Sequence, residues 1–96
     1  MADAKTLLVA YDVTDPKRLR RVAFALEDYG RRLQRSVFVC FLSPEDADAM
    51  EAQVRELIDT STDSLLVLPL CAHCRDRSSE YGVPFDWPGE TDCFSA

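Results

Sequence analysis

Ninety-six residues make one small domain, enough for a single core and not for two. An apolar fraction of 47% beside 29% charged residues is ordinary for a soluble globular protein, and no run approaches the ~20 apolar residues that cross a bilayer. A net charge of −6 excludes an indiscriminate coat of nucleic acid, because a negative protein repels a polyanion.

In chain order, Lys5 to Val13 predicts a strand that is apolar on both faces and therefore central in its sheet. Its apolar run, Leu7 to Tyr11, is too short for a signal-peptide core and lacks a small-residue cleavage pattern, so the expected compartment is the cytoplasm. Asp15-Pro16 then opens a helix, with Asp as the cap of free backbone N–H groups and Pro tolerated at the first position. Leu19, Val22, Leu26 and Tyr29 recur at helical spacing, and Gly30 follows as a stop. Lys17, Arg18, Arg20 and Arg21 fill the first turns of this helix, where cations oppose the macrodipole. A local cost without a structural return is a hint of function.

Arg32 to Leu42 is extended, basic at its start and apolar from Val37 onward. It holds no Gly, Asn or Pro to mark a turn, so local signals predict one long strand. Ser43-Pro44-Glu45-Asp46 opens a second helix with a serine cap and acids in the first turn, and Met50, Val54, Leu57 and Ile58 form its buried stripe. Ser61 to Asp63 is a polar break, and Ser64 to Leu70 is a further apolar strand. Beyond Cys71 the pattern weakens, and Gly82, Pro84, Pro88 and Gly89 punctuate a tail with strand-like pieces at Val83 to Trp87 and Asp92 to Phe94. The order predicts an α+β domain over residues 1–82, with two helices on one face of a small sheet, followed by a tail over 83–96.

Charge is unevenly placed. Seven of the eleven basic residues, Lys17, Arg18, Arg20, Arg21, Arg31, Arg32 and Arg35, face only Glu27 and Asp28 in the same interval. From Ser43 to Asp63 the balance reverses, with seven acids against Arg55 alone. Arginine forks match phosphate oxygens two at a time, so the cluster suits a phosphodiester backbone; a charged face paired with the acidic second helix is the alternative.

Asp12, at the end of the first strand, is the leading candidate for chemistry; the alternative is a solvated acid that helps cap the turn. One carboxylate is a poor Mg²⁺ site, but a two-fold dimer would present two. Ser36 lacks a histidine partner and reads as a turn residue before it reads as a nucleophile. Cys40 reads as a small core residue. Cys71-Ala72-His73-Cys74, with Cys93, admits packing thiols, a redox dithiol or a strained zinc site. Trp87 and Phe94 suit burial at a dimer seam or anchoring of a partner.

Taken together, "LLVAYDVTD", "PKRLRRVAFALEDYG", "RRLQRSVF" and "LLVLPLC" followed by "YG" resemble, in order and spacing, the CRISPR-associated protein 2 family over roughly residues 5 to 82. The resemblance implies a ferredoxin-like βαββαβ fold with an antiparallel sheet. Arg32 to Leu42 would then hold two strands turning near Ser36, and an additional C-terminal strand would join the partner in a homodimer. It implies a component of CRISPR spacer acquisition that partners the integrase, CRISPR-associated protein 1, and binds RNA or double-stranded DNA. It further implies metal-dependent endonuclease activity with Mg²⁺ (or Mn²⁺), the alternative being a non-catalytic bridge between integrase subunits. By position, Asp12 matches the catalytic and metal-binding aspartate, Arg18, Arg21 and Arg32 match nearby basic residues, and Ser36 and Phe38 match a serine-valine-phenylalanine segment. Arg35 stands where an aromatic commonly precedes the serine, and Leu19 where a basic residue is common.

Overall fold

The computed structural model describes residues 4–82. Four strands and two long helices alternate as β1 (Lys5–Asp12), α1 (Pro16–Leu26), β2 (Gly30–Gln34), β3 (Val37–Leu42), α2 (Pro44–Leu57) and β4 (Ser64–Leu70), and a short α3 (Ala72–Asp76) follows. The sheet runs β2-β3-β1-β4, and every neighbouring pair is antiparallel. This is the ferredoxin-like βαββαβ arrangement, with β1 central as its two-faced apolarity requires. The additional C-terminal strand, and the strand-like pieces at 83–87 and 92–94, lie outside the described residues.

Alternation along the strands builds two unlike faces. Leu7, Val9, Tyr11, Phe38, Cys40 and Leu42 point to one side and bury against Val22 and Leu26 of α1 and Met50 and Val54 of α2. Burying such side chains is worth about 1.5–3 kcal/mol each. The opposite face carries Leu8, Ala10 and Asp12 of β1 beside Leu68, Leu66 and Ser64 of β4, and it leaves Leu66 and Leu68 exposed by 55% and 43%. No helix among the described residues is long and apolar enough to cross a membrane.

Both predicted caps form. Asp15 accepts the Arg18 backbone N–H at 2.9 Å, and the Ser43 hydroxyl accepts that of Asp46 at 3.2 Å, each with Pro in the first turn. The end of α1 differs from expectation. The helix closes at Leu26, Tyr29 lies in the turn beyond it, and Gly30 is the first residue of β2. A Cβ at Gly30 would lie 2.3 Å from the Val39 carbonyl oxygen and 2.7 Å from Cys40 Sγ, so this glycine answers to close strand approach and not to helix termination.

The single long strand that local signals predict is two. β2 and β3 turn at Arg35-Ser36, and their register shifts between Arg32 and Gln34. No described non-glycine residue takes a positive φ, so the turn does without the left-handed residues that two-residue hairpins favour. Other elements hold it instead. The Tyr11 N–H donates to the Ser36 carbonyl at 3.0 Å, Arg32 Nη1 donates to the Arg35 carbonyl at 3.0 Å, and the Tyr11 hydroxyl reaches that same oxygen at 3.4 Å. These contacts are invisible to local pattern.

Candidate nucleic-acid interface

Helical periodicity sorts the basic block of α1. Lys17, Arg20 and Arg21, with Phe24 one turn on, share one side of the helix. With Glu27 and with Arg32 from β2 they line an open groove of about 600 Å³. A smaller hollow of about 180 Å³ adjoins it, lined by Tyr11, Leu19, Arg20, Arg32, Arg35 and Ser36. Five of the seven predicted cations thus meet along one surface, with one acid among them. Arg32 is fixed there by its guanidinium carbon lying 5.3 Å from the centre of the Phe38 ring, and Phe38 is wholly buried. Burial raises the Tyr11 phenol above its ordinary value despite the opposing charge of Arg32, so it stays a neutral donor to the turn.

Arg18 goes elsewhere. Its Nε donates to Asp63 at 3.0 Å, in an ion pair whose acid side chain is inaccessible to solvent. Asp63 accepts further hydrogen bonds from the backbone N–H groups of Asp59 (2.9 Å) and Thr14 (3.0 Å) and from the hydroxyls of Thr14 and Thr62. The Arg18 hydrogen bond, then these backbone donors, hold the Asp63 carboxyl well below the usual carboxylate range. The network ties the chain entering α1 to the loop entering β4. Sequence reasoning passes over Asp63 inside the polar break Ser61 to Asp63, because its partner is 45 positions away. Phe24 is also missed, although a signal exists: it falls off the Leu19, Val22, Leu26 stripe and is 74% exposed.

Arg31 alternates to the other face of the sheet, opposite Val39. Asp12 is exposed on that same face, opposite Ser64 of β4. Tyr11 and the adjoining hollow lie on the helix side, so Asp12 and the groove are separated by the sheet end. Ser36 sits at the rim of the hollow, half-buried, its carbonyl held by Tyr11. Among the described residues no three His, Cys, Asp or Glu side chains gather. The described residues of one chain therefore supply one carboxylate at this position, too few oxygens for Mg²⁺.

Residues 5–78 match the family model described as CRISPR associated protein Cas2. A Synechocystis protein named CRISPR-associated endoribonuclease Cas2 3 is 35% identical over 77 residues, covering 80% of this chain and 84% of its own. The crystal structure of Streptococcus pyogenes Cas2 superposes with a TM-score of 0.72 at 36% identity, covering 80% of this chain and 99% of that one. A chain of a partial Cas6-RT-Cas1–Cas2 complex superposes with a TM-score of 0.70 at 26% identity, covering 79% and 83%. With its βαββαβ sheet and this match across most of its length, the chain belongs to the Cas2 family of CRISPR-associated proteins.

Proposed function

We propose that this protein binds nucleic-acid backbone as a homodimer within the CRISPR spacer-acquisition assembly, beside CRISPR-associated protein 1. The observation that carries the reading is the groove in which Lys17, Arg20, Arg21 and Arg32 converge with Glu27 as the one acid. Backbone contacts of this kind fix position without reading sequence, which suits a protein that must accept arbitrary foreign DNA. The Cas1–Cas2 composition of the structural relative supports the partnership, and the acidic exposed side of α2 offers a separate surface for it. The sheet face bearing exposed Leu66 and Leu68 supports dimer formation, since apolar surface of this kind is what a second copy buries.

Such a dimer brings two Asp12 side chains toward a common axis, and with them a carboxylate pair able to hold Mg²⁺ or Mn²⁺. The two Asp12 carboxylates would hold that metal, which would supply water activation and charge neutralisation at a phosphodiester of RNA or duplex DNA. This chain's own part is to hold the backbone along Lys17, Arg20, Arg21, Arg32 and Arg35 while Asp12 faces the axis. The placement of Asp12 across the sheet end from the groove favours a second reading, in which the dimer is a non-catalytic bridge and Asp12 is dispensable.

Asp12→Ala separates the two. In the cleaving reading the exposed substitution abolishes metal-dependent hydrolysis and leaves dimer mass and duplex affinity unchanged. Integration of new spacers that persists in the variant assigns the cellular role to bridging. Loss of duplex affinity on the same substitution would overturn the separation of groove from carboxylate.

A further inference from the structure

At the exit of β4 stand two side chains that backbone binding does not use. Cys71 follows the strand, Cys74 lies in α3, and both are exposed. Their sulfur atoms are 3.3 Å apart, and the Cys74 backbone N–H donates to Cys71 Sγ at 3.4 Å. A disulfide holds its sulfurs about 2.05 Å apart, so only about 1.2 Å of closure separates the pair from a bond. Neither thiol is part of the described core. Among the described residues no third His, Cys, Asp or Glu joins them in a metal-holding group.

We propose that Cys71 and Cys74 form a reversible dithiol–disulfide site that reacts by exchange with a low-molecular-weight disulfide of the glutathione class. The Cys71 thiolate attacks one sulfur of glutathione disulfide, forming a mixed disulfide on Cys71 and releasing one glutathione thiolate, which takes up a proton. Cys74, losing its proton, attacks the Cys71 sulfur, closes the Cys71–Cys74 bond and releases the second glutathione. Two electrons and two protons pass from the protein to the small disulfide. Hydrogen bonding from the Cys74 N–H, then from its thiol, lowers the Cys71 thiol, whereas the hydrogen bond to Cys71, then its charge, raises Cys74. That asymmetry suits an attacking and a resolving thiol. Cys40 takes no part, being wholly buried with its thiol pushed up to about 11 by desolvation.

The test equilibrates the full chain with glutathione buffers of rising oxidised fraction, traps free thiols by alkylation and maps the digest by mass. The peptide carrying Cys71 and Cys74 is expected to lose two hydrogens, to regain them under dithiothreitol, and to leave Cys40 unmodified in the folded protein. Cys71→Ser should eliminate reaction at this peptide, and Cys74→Ser should arrest it as a stable glutathione adduct on Cys71. Unresolved adducts in the unsubstituted chain, adducts on Cys74 in preference to Cys71, or bonds from either thiol to Cys93 or to a second chain would each overturn the proposal. Circular dichroism of both variants, expected to match the unsubstituted protein at these exposed positions, separates lost reactivity from lost fold.

Discussion

Along α1, Arg18 turns toward the loop before β4 and meets Asp63, whereas Lys17, Arg20 and Arg21 turn to the groove shared with Arg32. All four are cations, and their positions lie within about one turn. What differs is the surrounding charge: a solvent-inaccessible carboxylate with four further donors on one side, and the lone Glu27 on the other. A block of cations in a sequence is thus the sum of two uses, one that fastens the domain and one that remains available to an anion. The macrodipole cost noted for these residues is offset for Arg18 by Asp63, and the remaining three have no acid in the first turn of α1 to relieve it.

Removing the acid tests the fastened side most severely. Asp63→Ala leaves the Arg18 guanidinium and two backbone N–H groups without their acceptor, and the melting temperature should fall on the order of 10 °C by calorimetry. The carboxyl is held low in the fold, so its contribution is complete above the ordinary aspartate range of about 4 and is lost as the pH falls below it. The gap in melting temperature between the unsubstituted protein and Asp63→Asn should accordingly narrow below that pH. A gap independent of pH would mean that packing, and not the ion pair, holds the loop.

On the open side the readout is salt. Replacing Arg20 and Arg21 together by Gln should flatten the dependence of log affinity on log salt by about 1.8 for duplex DNA, if each makes one phosphate contact. The melting temperature should stay level or rise slightly, because two cations opposing the helix dipole are removed. Arg18→Gln should do the reverse, lowering the melting temperature while leaving the salt slope intact. A slope that responds to Arg18 and not to Arg20 and Arg21 would break the comparison.

The smallest effect is expected at Phe24, which sits among the groove cations with its ring in solvent. Phe24→Ala should alter stability by no more than about 0.5 kcal/mol and leave the salt slope unchanged. A large loss of stability would place the ring in a contact that its exposure does not suggest.

Much of the scaffold was legible from local pattern. Asp15-Pro16 and Ser43-Pro44 marked both helix starts, and the uninterrupted apolarity of Lys5 to Val13 marked the central strand. The β2–β3 turn was not legible locally, since its carbonyls are held by Tyr11 and Arg32 and no Gly, Asn or Pro marks it; family resemblance supplied it. Gly30 was misread because a glycine after a helical stripe has two explanations, and only the Val39 and Cys40 positions decide between them. Of the candidate site, residue types were legible and allegiance was not. Arg18 and Asp63 are joined across 45 positions, and Arg31 and Arg32, adjacent in sequence, point to opposite faces.

That last opposition depends on Gly30. Because β2 can close on β3 only where no side chain intervenes, the glycine acts as a registration pin for the edge strand. Strand geometry has a two-residue period, so a slip of one residue would exchange the two arginines between faces. Arg31 would enter the groove and Arg32 would leave the Phe38 ring for the apolar face. The charge map of the molecule is therefore set at a position that carries no charge, and a lineage free to vary its arginines would still be bound to keep this hydrogen in place of a methyl group.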